Sequence, residues 1–255
     1  MMKIIIANWK MNPQTLREAR NIFQGIKKTA KKLKKVETII CPPFAYISNL
    51  KPQIPNLKIG SQNVFYEERG AFTGEISVWM LKDLGVRYAI IGHSERRALG
   101  ETNEMINKKI KTALKAGLKV IFCVGENERD FEDKYFNFIK NEIDEGLKGI
   151  PRKFFSPPTG GLIIAYEPVW AISSAKNAQP DTPESAFRMA VFIRRMLMPI
   201  IGSEPARKIP ILYGGSVGPE NVAGFLQDMQ GALVGSKSLN PKDFGEILKI
   251  ANGIK

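Results

Sequence analysis

The chain has 255 residues, of which 44% are hydrophobic and 25% charged, a balance that excludes disordered, collagen-like and disulfide-stapled classes and leaves an ordinary globular protein. Lysine and arginine number 38 against 25 aspartate and glutamate, for a net charge of +13. No stretch supplies the ~18 uninterrupted apolar residues of a membrane span, and the apolar start MMKIIIANWKMN is too short for a signal peptide. The two cysteines, Cys41 and Cys123, sit in apolar runs with neither CxxC nor metal spacing, as reduced core residues of a cytoplasmic protein would.

In chain order, eight short runs read as buried strands: Lys3–Ala7, Thr38–Cys41, Leu57–Gly60, Tyr88–Ile91, Val120–Val124, Leu162–Ala165, Ile209–Leu212 and Ala232–Val234. They are rich in Ile, Val and Leu with little polar alternation, the pattern of parallel strands covered on both faces. Segments of helical periodicity lie between most of them. Asn12-Pro13 is expected to start the first, with Leu16, Ala19, Ile22 and Phe23 on one face. Six lysines between Lys27 and Lys35 surround Ile26, Ala30 and Leu33, which reads as the solvated face of an amphipathic helix. Thr102 is expected to start a later helix, Thr182-Pro183 the sixth, and Pro219 a shorter seventh. Eight strand–helix units in ~250 residues suit one closed (β/α)8 barrel over residues 1–255, with a doubly wound open sheet as the alternative.

Polar and glycine residues gather just after these strands. Asn8 and Lys10 follow the first, Gln62 and Asn63 the third, and His93, Ser94 and Glu95 the fourth. Gly125 and Glu126 follow the fifth, Glu167 the sixth, Gly214-Gly215-Ser216 the seventh and Gly235-Ser236 the eighth. In a parallel barrel all strand C-termini open on one face, so these residues would converge. Alone, Glu167 before Pro168 would be a solvated strand-end carboxylate; in such a cleft it becomes a candidate general base. His93 is the only histidine, so a multi-histidine metal site is not expected. A helix beginning after it would favour the neutral imidazole. Lys10 would supply positive charge for an anionic substrate or an oxyanion. The glycine turns after the last two strands are candidates for phosphate capture by backbone N–H groups. GALVGSKS has the wrong spacing for a P-loop, and no GxGxxG supports a dinucleotide cofactor.

With NWKMN (Asn8–Asn12), GAFTGE (Gly70–Glu75), IGHSERR (Ile91–Arg97), VGE (Val124–Glu126), AYEPVWAI (Ala165–Ile172), LYGGSV (Leu212–Val217) and LVG (Leu233–Gly235) in order, the chain resembles the triosephosphate isomerases from end to end. The resemblance implies interconversion of dihydroxyacetone phosphate and glyceraldehyde 3-phosphate without cofactor or metal. It implies Glu167 as the base, His93 as the neutral electrophile, Lys10 as the cation, Asn8 in the polar wall and Glu95 as the supporting acid beside His93. Ser173, Ser216, Gly235 and Ser236 would bind the phosphate. The long stretch Gln62 to Glu75 resembles the loop that inserts into a partner subunit, with Thr73 near the partner's site. It implies a homodimer at least, and leaves a tetramer open.

The chain departs from the family pattern in three places. The lid tip IGTGK is here Ile172-Ser173-Ser174-Ala175-Lys176; the final GG is Gly235-Ser236; and KTA at the far hinge is Lys176-Asn177-Ala178. The first two keep the backbone donor while narrowing backbone freedom, and all three bear on lid kinetics and phosphate affinity. The alternatives are a catalytically impaired barrel, another phosphosugar isomerase, or a silent binding protein using its basic surface. No aromatic-rich basic motif supports specific nucleic-acid recognition.

Overall fold

The structure is a computed structural model that describes residues 2–129, 134–155, 161–172 and 179–254. Eight parallel strands form a closed barrel in sequence order: β1 (Lys3–Asn8), β2 (Val36–Cys41), β3 (Leu57–Ser61), β4 (Tyr88–Ile91), β5 (Lys119–Val124), β6 (Leu162–Tyr166), β7 (Ile211–Tyr213) and β8 (Gly231–Val234). Closure rests on β1 pairing with β8, where Ala7 lies opposite Val234. That pairing removes the open-sheet alternative, because no edge strand is left.

Strand alternation divides the core in two. Ile6, Ile39, Ile90, Ile121, Ile163 and Leu212 pack together inside the barrel, while their neighbours Ile5, Ile40, Ala89, Phe122 and Ile164 turn outward under the helices. Both faces are dry, which explains the unbroken apolar runs.

The helix starts follow side-chain acceptors more closely than prolines. Thr102 and Thr182 cap as expected, accepting from the N–H groups of Met105 and Ser185. The first helix, however, begins at Leu16, with Thr15 accepting from the Glu18 N–H. The seventh begins at Val222 after Asn221, whose side-chain oxygen accepts the Gly218 N–H of the preceding turn and does not cap the helix. The lysine-rich segment is not one helical face. The first helix ends at Ala30, with Ile26 and Ala30 buried, and Leu33 packs from the turn beyond. Among the described residues no helix is long and apolar enough to cross a membrane.

Candidate active site

At the end of β1, Asn8 is buried and its side-chain oxygen accepts the Lys10 N–H at 3.1 Å. Lys10 is held at φ 52°, a left-handed conformation that costs a non-glycine residue roughly 1–2 kcal/mol. Gln62, just past β3, helps to hold it there by donating to both the Lys10 carbonyl (2.8 Å) and the Cys41 carbonyl (2.9 Å). The Lys10 ammonium then reaches across the barrel mouth to Glu95 Oε1 at 2.5 Å.

After β4 the chain turns through Gly92 at φ 77°, a conformation open to glycine without strain. His93 follows as N-cap of the helix Ser94–Ala98, with Nδ1 accepting the Glu95 N–H at 3.2 Å. An imidazolium has no acceptor nitrogen, so this contact requires the neutral ring and leaves Nε2 as its N–H donor. Glu95 therefore supports His93 through its backbone. Its carboxylate stands 3.9 Å from Nδ1 and is turned to Lys10.

Glu167 follows β6 and is only 2% exposed. Its N–H bonds the Val124 carbonyl at 2.9 Å, fixing it against β5. One carboxylate oxygen, Oε2, accepts the Ser94 N–H at 3.0 Å. The other, Oε1, lies 3.3 Å from His93 Nε2 without hydrogen-bond alignment, and has no donor among the described residues. Gly125 makes this packing possible: a Cβ there would sit 1.9 Å from the Glu167 carbonyl oxygen. Cys123 is buried beneath, its thiol pushed well above the usual range by burial and by the nearby Glu167 charge.

Beyond Glu167 the chain makes a short turn, Val169–Ala171. Glu126 Oε1 gathers the Tyr166 hydroxyl (2.8 Å), the Trp170 indole N–H (2.9 Å) and Arg129 Nε (3.1 Å). Ser216, after β7, donates its hydroxyl to the Ala171 carbonyl at 2.9 Å and so ties this turn to the β7 end. Gly235 and Ser236 follow β8, with Gly235 beside the Lys10 side chain. Ser173, Ser174, Ala175 and Lys176 of the lid tip, with Asn177 and Ala178 of its hinge, lie outside the described residues.

A cavity of about 500 Å³ is lined by Asn8, Lys10, His93, Glu95, Glu167, Ser216, Gly235 and Ser236, whereas Gln62, Asn63, Ser94, Gly125 and Glu126, which also follow strands, do not line it. Its size suits a small ligand. Among the described residues, no three His, Cys, Asp or Glu side chains cluster in a way that could hold a metal ion. Residues 3–251 match the family model for triosephosphate isomerase. The chain belongs to the triosephosphate isomerase family. A triosephosphate isomerase of Natranaerobius thermophilus is 45% identical over 97% of this chain and 95% of its own length. Those of Dictyoglomus turgidum and Dehalococcoides mccartyi are 43% and 44% identical, covering 97% and 98% of this chain and 98% and 97% of their own.

Three contributors to this triosephosphate isomerase site escape a reading of residue types. The Ser94 backbone N–H that holds Glu167 carries no side-chain signal. Arg97, two residues past Glu95, donates through Nε to the Gly92 carbonyl at 2.8 Å. Glu142 reaches in from the helix Lys134–Leu147 to accept the Gly125 N–H at 2.8 Å. The last did leave a trace: a carboxylate in the inward stripe otherwise formed by Ile139, Ile143, Gly146 and Leu147.

Proposed function

We propose that this chain interconverts dihydroxyacetone phosphate and D-glyceraldehyde 3-phosphate, an isomerisation of glycolysis and gluconeogenesis, by carrying one proton between adjacent carbons through a cis-enediolate. The observation that carries the reading is the meeting of three groups in one cavity: a buried carboxylate oxygen with no donor among the described residues, an imidazole held as a neutral N–H donor 3.3 Å from it, and an ammonium group. Glu167 takes the proton from the carbon beside the carbonyl. His93 Nε2–H donates to the carbonyl oxygen as negative charge gathers there, then passes its proton between the two oxygens. Lys10 offsets the charge of the enediolate and the phosphate, and Asn8 fixes its backbone. Glu95 holds the ammonium until substrate displaces it. Backbone N–H groups at Ser173, Ser216, Gly235 and Ser236 receive the phosphate.

The catalytic unit is one domain spanning residues 1–255, acting without cofactor in the cytoplasm. It works as a homodimer through Gln62 to Glu75, with a tetramer as the larger possibility. Exposed apolar side chains support an interface there: Phe72 at the loop tip is 43% exposed and Met11 beside Lys10 is 84% exposed. The deciding experiment is turnover of both triose phosphates by the purified chain, alongside sedimentation of the same preparation. Absence of isomerisation in either direction overturns the reading, and a monomer at all concentrations overturns the assembly.

A further inference from the structure

A second cavity, about 430 Å³, adjoins Glu167 but is not lined by Asn8, Lys10 or His93. Arg97, Cys123, Asn127 and Glu142 line it instead. Glu142 is 2% exposed, and a carboxylate in such a place is costly unless paired. Its two oxygens are met differently: Oε2 accepts the Gly125 N–H at 2.8 Å, while Oε1 lies 3.2 Å from Arg97 Nη1 as an ion pair without hydrogen-bond alignment. Arg97 also donates to the Gly92 carbonyl (2.8 Å) and to Asn103 Oδ1 (2.6 Å). A path of contacts therefore runs from Gly92, which precedes His93, through Arg97 and Glu142 to Gly125, against which the Glu167 backbone packs too closely for any side chain. The path joins the imidazole and the carboxylate from behind, outside the substrate cavity.

The groups facing Glu142 have opposing effects. Burial raises its carboxyl to about 7; Arg97 from the Ser94–Ala98 helix and the Gly125 N–H act to lower it, while Glu167 after β6 and Glu126 after β5 repel its charge. Cys123 on β5 lines the same cavity, and its neutral thiol adds no charge. The described residues of Glu142's own helix add no second buried charged group.

We infer that Glu142 is a positioning residue: ionised, it holds the His93 turn and the Glu167 strand end in register for proton transfer, and protonated, it releases Arg97 and lets them loosen. The inference rests on the isomerase reading above. It gives the activity a titrating group that never touches substrate.

The test compares kcat and KM across the neutral range for the full-length wild type, Glu142→Gln and Glu142→Asp. In the wild type, kcat should rise with pH through an inflection near neutrality. Glu142→Gln should lack that inflection and lose about 3- to 30-fold in kcat at the alkaline end, a modest misplacement effect, with KM nearly unchanged. Glu142→Asp should keep an inflection at a shifted position. An unchanged profile in Glu142→Gln, or a loss confined to KM, overturns the inference. Should that variant not fold, carbon NMR of glutamate-labelled wild type decides: a carboxyl titrating near neutrality together with kcat supports the inference, and none doing so overturns it. A wild type that folds but isomerises nothing counts against the isomerase reading instead, and the NMR titration still reports on Glu142.

Discussion

Glu167 is buried with one carboxylate oxygen accepting the Ser94 N–H and the other, Oε1, without a donor among the described residues. A buried acceptor left without a donor costs about 1–3 kcal/mol, and a substrate C–H beside Oε1 is what would relieve it. Replacing Glu167 with glutamine removes the proton acceptor at nearly constant shape, so kcat should fall by at least ~10²–10⁴-fold. Steady-state turnover of glyceraldehyde 3-phosphate measures this, and near-normal turnover would exclude Glu167 as the base. Glu142 leads to a different kind of prediction. Its carboxyl is raised by burial to about 7 when folded, so the folded chain holds this proton more tightly than the unfolded chain. Its contribution to stability is therefore fully present below the ordinary carboxylate range and is lost as pH rises through about 7. The loss is of order 3 kcal/mol. Denaturant unfolding at acid and alkaline pH should show the wild type losing more stability than Glu142→Gln over that interval, and equal losses would refute the assignment. Glu167, His93 and Lys10 are legible as candidates because each is a titratable residue shortly after an apolar run. Glu142 is not, because it comes from mid-helix and meets the site only through the fold.

At the scale of elements, caps and strand ends are governed by where donors and acceptors find partners. The helix Pro183–Ile201 begins with Thr182 accepting the Ser185 N–H at 3.2 Å. Thr182→Ala should cost about 1 kcal/mol, which for a protein of this size lowers Tm by roughly 2–4 °C. Calorimetry checks it, and no change would mean the cap is idle. Two prolines mark turns and not helix starts, since Pro13 and Pro219 suit a turn as well as a first helical position. They lie in the turns before Thr15, which caps the first helix, and Asn221, which precedes the seventh without a side-chain cap. The seventh strand shows the same logic. Read as Ile209–Leu212, it is instead Ile211–Tyr213, because the Ile209 N–H is spent on the Pro205 carbonyl of the preceding helix and Pro210 has no N–H to give.

For the whole molecule, the alternation of eight apolar runs with helical segments was enough to anticipate closure, because parallel strands buried on both faces need a covering layer all round. How the ends of those strands share work is a matter of contacts between loops, which no local pattern displays. The net charge of +13 acts at this scale too. It should draw a phosphorylated substrate toward the barrel mouth, so kcat/KM should fall as salt shortens the Debye length from ~30 Å at 0.01 M to ~8 Å at 0.15 M. Stopped-flow or steady-state rates in a potassium chloride series measure this, and a flat response would place the charge on surfaces remote from the approach.

Gln62 stands at the start of the long stretch after β3 and also grips the carbonyl of strained Lys10. A tug on that stretch therefore reaches the Lys10 backbone, which carries the ammonium, through one amide group. A compound that seized Gln62 to Glu75 from outside would act as a remote inhibitor, lowering kcat while triose phosphate still entered freely. Inhibition that excess substrate fails to relieve would be its signature, and purely competitive kinetics would show that the grip on Lys10 transmits nothing.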